Sequence, residues 1–159
     1  MCRGTLRAVT PDDVRVPDGA RCTLAGTRVE GDVKVENGAV LVAHKVRVKG
    51  NVQAEGARSV TVTGRSVIAG SVQVKRGRSA AVLSSHINGD IQLDANRGRL
   101  RVHRNRVGGD IQLFGNKGGR ASIHHNRVEG NLQCKENRPK PVGGGNRVQG
   151  DKEDQCRRL

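Results

Sequence analysis

Cysteine, aspartate, histidine and arginine are the residues of this 159-residue chain whose types and positions suit chemistry. Cys2, Cys22, Cys134 and Cys156 offer thiols for disulfides or for zinc. Neighbouring carboxylates such as Asp90, Asp94 and Asp110 are what a calcium-dependent lyase or a two-carboxylate hydrolase of acidic polysaccharide requires. His103, His124 and His125 suit a transition metal. Ser84, Ser85 and His86 adjoin in sequence, but nucleophilic triads are assembled in space, so adjacency argues nothing. Arginine forks carboxylate and phosphate bidentately, and the segment Arg97 to Arg106 carries five arginines with His103 among them.

What these groups can do depends on the elements that hold them, and those elements repeat. A glycine followed by Asp, Asn or Ser and then an aliphatic residue recurs at Gly31, Gly50, Gly70, Gly89, Gly109, Gly130 and Gly150, at spacings of 19 to 21 residues. Two and four residues after the glycine stand pairs such as Val33 and Val35, Val72 and Val74, or Ile111 and Leu113. The residue between them is Lys34, Gln53, Gln73, Gln92, Gln112 or Gln133, so each pair reads as a short strand with one face inward. A second alternation follows: Val40 and Val42, Val60 and Val62, Ala80 and Val82, Leu100 and Val102, Ala121 and Ile123. A third apolar position, Val29, Val48, Ile68, Ile87, Val107, Val128 and Val148, precedes the next glycine by two.

Three short sides in about 20 residues make one rung of a parallel β-helix, whose rungs stack about 4.8 Å apart. Val-rich stretches broken by Gly and Asn cannot sustain amphipathic helices. Units that superimpose in one direction also argue against an up-and-down antiparallel sheet. The expectation is all-β: a single-stranded parallel β-helix, right-handed, of about seven rungs, forming one domain over 1–159. Residues 1–30 form N-terminal capping coils, 31–149 the regular rungs and 150–159 the C-terminal cap.

Stacking turns spacing into columns. Cys2 and Cys22 lie 20 residues apart and Cys134 and Cys156 lie 22 apart, so each pair should meet on neighbouring coils, within reach of a disulfide. Cross-links at both ends would limit fraying, each contributing roughly 3 kcal/mol, and two disulfides imply an oxidising compartment. Zinc is disfavoured because no C-x-x-C occurs. Asn96, Asn116 and Asn137 form one amide ladder and Asn105, Asn126 and Asn146 another, both structural. The outward Gln column is a solvated amide ladder or a flat hydrogen-bonding surface. The carboxylate column reads Asp32, Asn51, Ser71, Asp90, Asp110, Asn131, Asp151; exchange among Asp, Asn and Ser suits a turn, not a catalyst. Arg58, Arg78, Arg97, Lys117 and Arg138 form one cationic column. Arg28, Arg47, His86, Arg106, Arg127 and Arg147 form another, interrupted by Val67. Like charges stacked every rung repel, so these columns do not serve stability.

Composition narrows the function. Hydrophobic residues reach only 34%, and there is no Trp, no Tyr and one Phe, which excludes recognition by ring stacking on bases or sugars. Lys and Arg outnumber Asp and Glu by 29 to 15, a net charge of +14 that attracts polyanions. Only Thr61-Val62-Thr63 resembles an ice-binding array. No apolar run is long enough for a membrane span, and Met1-Cys2-Arg3-Gly4 does not open a leader, so the chain is either cytosolic or a mature form whose leader was replaced by Met1.

The segments Gly130-Asn131-Leu132-Gln133-Cys134-Lys135-Glu136-Asn137, Gly143-Gly144-Gly145-Asn146 and Lys152-Glu153-Asp154-Gln155-Cys156 are similar to the C-terminal signature of a family of uncharacterised secreted bacterial β-helical repeat proteins. Val14-Arg15-Val16-Pro17-Asp18-Gly19 and Gly50-Asn51-Val52-Gln53-Ala54-Glu55-Gly56-Ala57 resemble the same group. That resemblance implies export and a β-helix, and no activity. A looser similarity is to the polymer-forming bactofilins, which lack the cysteines.

The expectation is a non-enzymatic, secreted or cell-surface binding or structural module, without cofactor or metal, monomeric or a side-by-side homo-oligomer. Its candidate partners are anionic cell-wall polymer, acidic polysaccharide or nucleic acid, held by Arg58, Arg78, Arg97, Lys117, Arg138, Arg106, Arg127 and Arg147. The alternative is an active or degenerate β-helix enzyme on acidic polysaccharide.

Overall fold

The computed structural model describes residues 1–159. Its strands are all short, as expected of segments with only two or three inward residues between turns, and there is no helix. They form three parallel sheets. Sheet 1 has 8 strands, from Val14–Val16 to Lys152–Asp154; sheet 2 has 8, from Thr5–Leu6 to Val142–Gly144; sheet 3 has 7, from Arg28–Val29 to Arg147–Val148. The chain visits sheets 1, 2 and 3 in turn and then repeats, which is a parallel β-helix. Seven complete rungs result, spanning 14–29, 33–48, 52–68, 72–87, 91–107, 111–128 and 132–148, with a half-coil at each end.

Register keeps repeat positions over one another. Val72 pairs with Val52 and with Ile91, and Val67 pairs with Arg47 and with His86. The buried side chains form one column-built core of 37 residues. It contains no aromatic ring, because Phe114 follows the inward Leu113 and points outward, half-buried.

One expected inward pair is corrected. In the strand Val40–His44 the buried residues are Leu41 and Ala43, while Val40 and Val42 face outward. Val40-Leu41-Val42-Ala43 is apolar throughout, so alternation cannot choose its face. Pairing chooses it: Leu41 lies between Cys22 and Val60, and Ala43 between Leu24 and Val62.

Corners need more than apolar burial, because a turning backbone must still satisfy its N–H groups. Between sheets 1 and 2, Asn96 Oδ1 accepts the Gly77 N–H (2.9 Å), Asn116 Oδ1 the Asn96 N–H (2.9 Å) and Asn137 Oδ1 the Asn116 N–H (3.1 Å). Each Nδ2 donates to a carbonyl of the rung below, from Val74, Leu93 and Leu113 respectively. Between sheets 2 and 3, Asn105, Asn126 and Asn146 repeat the pattern. Both ladders end in the C-terminal tail: Gln155 Oε1 accepts the Asn137 N–H, and the Leu159 carbonyl accepts from Asn146. The cap at 150–159 therefore supplies the acceptors that an eighth rung would have supplied.

The third corner uses the Asp/Asn/Ser column with opposite polarity. Here the side chain accepts from the following rung, as Asp32 does from the Asn51 N–H, Asp90 from Asp110 and Asp110 from Asn131, each at 2.7 Å. This explains the glycine of each repeat. A Cβ at Gly109 would fall on Asp90 Oδ1 and lie 3.0 Å from the Gly89 carbonyl oxygen, whereas a Cβ at Gly115 would meet nothing within 4 Å. Gly109→Ala is expected to cost about 1–3 kcal/mol through enforced repacking. Gly115→Ala, limited to the strain of its φ of 66°, should cost roughly 1 kcal/mol. Urea unfolding of both variants tests the ranking, and an equal cost would remove the close-approach explanation.

Candidate functional site

Both cysteine pairs meet as spacing requires: Cys2 with Cys22 at a Cα separation of 5.5 Å, and Cys134 with Cys156 at 5.3 Å. All four are buried and none is free. They join a terminal coil to its neighbour at each end, and cross-links of this kind belong to oxidising compartments.

Of the expected chemical groups, the Asp90–Asp110 pair is explained by the corner ladder, since each Oδ1 already accepts a backbone N–H. Asp94 sits apart on sheet 1, between Lys75 and Phe114. Its Oδ1 is buried without a hydrogen-bond partner. His103 and His124 do come together: they pair across rungs 5 and 6, their rings 5.0 Å apart edge to face, and His103 Nε2 lies 2.7 Å from Ser122 Oγ. His125 belongs to the adjoining corner, 6.1 Å from His124. No group of three or more His, Cys, Asp or Glu is disposed to hold a metal. Ser85 lies buried in the corner, its hydroxyl donating to the Leu83 carbonyl, and is not aimed at His86.

The outward Gln column is a hydrogen-bonded ladder only at its C-terminal end, where Gln112 Nε2 donates to Gln133 and Gln133 Nε2 donates to Glu153.

The two cationic columns are real rows on different faces. Arg28, Arg47, Val67, His86, Arg106, Arg127 and Arg147 pair rung by rung along sheet 3. Arg58, Arg78, Arg97, Lys117 and Arg138 run along the corner between sheets 1 and 2, where Lys117 and Arg138 bridge and Arg58, Arg78 and Arg97 border one surface depression. Sheet 2 separates the rows. It adds cations outside both columns, because Arg101 and His103 are the outward residues of the strand Leu100–His103, with Arg99 just before it. Period-2 alternation around the inward Leu100 and Val102 was the available signal for them.

Carboxylates avoid these faces. None of the fifteen Asp and Glu lies within 37–54, 56–89, 95–109, 111–128 or 137–150, which hold the whole of sheets 2 and 3 in rungs 2 to 7. The ion pairs present, Arg15–Glu36, Lys49–Glu30, Arg76–Glu55 and Lys135–Asp154, draw their carboxylates from sheet 1 and its corners. Arg97, Arg99, Arg101, Arg104 and Arg106 have no ionic partner.

The chain matches no protein-family model, no curated protein and no solved structure.

Two ionisable groups register this environment. Burial, then the neighbouring His124, Arg101, Arg99 and Arg104, hold His103 below the ordinary histidine range. The folded state thus prefers the neutral ring, so this residue favours folding above the usual histidine pKa, and the contribution is lost as pH falls through the lowered value. His103→Gln should therefore lose less thermal stability than the native chain between about pH 7 and about pH 5; parallel pH curves would contradict this. Burial raises Asp94, with Lys75 opposing only in part. Its contribution is present when protonated and is lost as pH rises through the raised value. Asp94→Asn is expected to melt higher than the native chain at neutral pH and to show no advantage near about pH 3. A lower melting temperature at neutral pH would show that the carboxylate is stabilising as it stands.

Proposed function

We propose that this protein is an exported, non-enzymatic module that binds anionic polymer through the carboxylate-free faces of its β-helix. One observation carries the reading: the acidic residues are confined to sheet 1, its flanking corners and the chain ends, while unpaired arginines occupy sheets 2 and 3 in register. A basic surface serving solubility alone gains nothing from this segregation. Interspersed carboxylates would relieve the repulsion between stacked arginines at no cost to charge-driven solubility. A polyanion relieves it instead, by placing its own charges between the guanidinium groups.

The chemistry of the faces favours acidic polysaccharide over nucleic acid. The only Phe lies on sheet 1, so sheets 2 and 3 offer bases no Phe, Tyr or Trp to stack on, only imidazole rings and guanidinium planes. No helix, ribbon or long loop projects to enter a groove of duplex DNA. The carboxylates that an enzyme on the same polymers would use, Asp90 and Asp110, are committed to the backbone.

Retention on heparin resin should fall steeply as salt rises, since each cation engaged displaces a counterion. Arg97→Ala combined with Arg106→Ala should elute at clearly lower salt. Flow-through of the native protein at about 0.15 M salt, where exposed charges still act over about 8 Å, would end the proposal.

A further inference from the structure

Four surface depressions touch rung 4 in turn, each reaching onto neighbouring rungs. At the first corner one crosses rungs 2 to 5, bordered by Asn37, Arg58, Arg78 and Arg97; on sheet 2 the next is bordered by Ser59 and Thr61 of rung 3, Ser79 and Ala81 of rung 4, and Arg99 and Arg101 of rung 5. At the second corner Leu83, Ser84, His103 and Arg104 border the third together with His124 of rung 6, and Ser84, Ser85, Arg104 and Arg106 border the fourth on sheet 3 together with Arg65 of rung 3. Residues two apart on a strand share its outward face, so Ala81 continues to Leu83 and Arg101 to His103 without a break. The third and fourth depressions share Ser84 and Arg104 outright. The cause lies in side-chain length: across sheet 2 and the corner after it, rung 4 presents mainly Ser and Ala, while rung 5 presents arginines and a histidine one register step away. A short-chain rung beside a long-chain rung leaves a furrow with a cationic wall.

From this continuity we infer that rungs 4 and 5 form a binding furrow for a single acidic polysaccharide chain, which lies along the strands and around the solenoid. The inference rests on the anionic-polymer reading and adds to it a site and a direction. The cationic columns by themselves would lay the polymer along the solenoid axis. Three features favour the furrow. Its wall of Arg97, Arg99, Arg101, Arg104 and Arg106 is the densest unpaired cationic run in the chain. Rung 4 contains no carboxylate anywhere in its length. The floor supplies hydroxyls from Ser79 and Ser84 over the small Ala81, which suits the hydroxyl-rich, ring-edge surface of a sugar chain better than a base. Rung 3 adds Ser59 and Thr61 beside Ser79 and Ala81, so the furrow is a short-chain shelf against one cationic wall, along which an extended chain can lie.

The test is titration of a heparin oligosaccharide into the native protein and three variants at about 0.15 M salt, with thermal unfolding confirming that each is folded. Arg99→Ala with Arg101→Ala removes the centre of the wall and should weaken binding at least about tenfold, as expected for lost hydrogen bonds between charged groups. Ser79→Leu fills the floor without changing net charge and should also weaken binding severalfold. Arg157→Ala with Arg158→Ala removes as much charge from the exposed C-terminal cap, outside both cationic columns and the furrow, and should change affinity by no more than about twofold. If both double variants weaken binding equally and Ser79→Leu has no effect, the furrow is overturned while polyanion binding stands. If the native protein binds no heparin, both fall. If a DNA duplex binds as tightly as heparin and loses affinity in the same variants, the assignment to a single polysaccharide chain is overturned.

Discussion

Parallel pairing between successive rungs at a fixed register is the constraint from which the rest of this molecule follows. Each backbone N–H and carbonyl on one rung must find its partner on the next, so the chain repeats its turns at nearly constant length. Identical positions then lie over one another whether their stacking is favourable or not. For Val, Ile and Leu it is favourable, and the core becomes three sets of apolar columns without a single aromatic ring. For Asn it is favourable as well, because an amide can accept from one rung and donate to another. For arginine it is unfavourable, and that cost is what makes the cationic rows informative.

The corners show how few solutions this constraint leaves. Two of them use Asn amides whose oxygens accept from the preceding rung, and the third uses Asp, Asn or Ser oxygens that accept from the following rung. The opposite polarities let side-chain acceptors approach the backbone from both directions along the solenoid. The third corner brings an oxygen so near the backbone that only glycine fits beneath it. The glycine followed by Asp, Asn or Ser is therefore a packing unit: the acceptor of one rung and the space for it on the next are written side by side. That reading gives the carboxylate column a structural role, since its members hold the turn.

Much of this was legible before any coordinates. The repeat length, the apolar positions at sheets 1 and 3, the two cysteine pairs and the six Asn positions follow from spacing, because a solenoid converts sequence distance into spatial adjacency. Legibility failed where a segment carried no alternation. Val40-Leu41-Val42-Ala43 could face either way, and its pairing with Cys22 and Val60 decided the matter. The ladders also extend further than Asn alone suggested: Ser66 accepts the Val46 N–H, and Thr27 donates to the Arg7 carbonyl, with hydroxyls standing where later rungs use amides. A column whose residue type changes along it is hard to see by identity and becomes plain by position.

By itself the sequence determined the periodicity, the strand-forming segments, the covalent staples and the surplus of positive charge, since all four are properties of composition and spacing along the chain. The tertiary structure alone decided how those properties combine in space. It set the two cationic columns on different faces and put Arg99 and Arg101 on the sheet between them. It also set the short side chains of rung 4 beside the arginines of rung 5. The physical reason is that a furrow is a difference in side-chain length between neighbouring rungs, about twenty residues apart in the chain, and no stretch of either rung contains that difference.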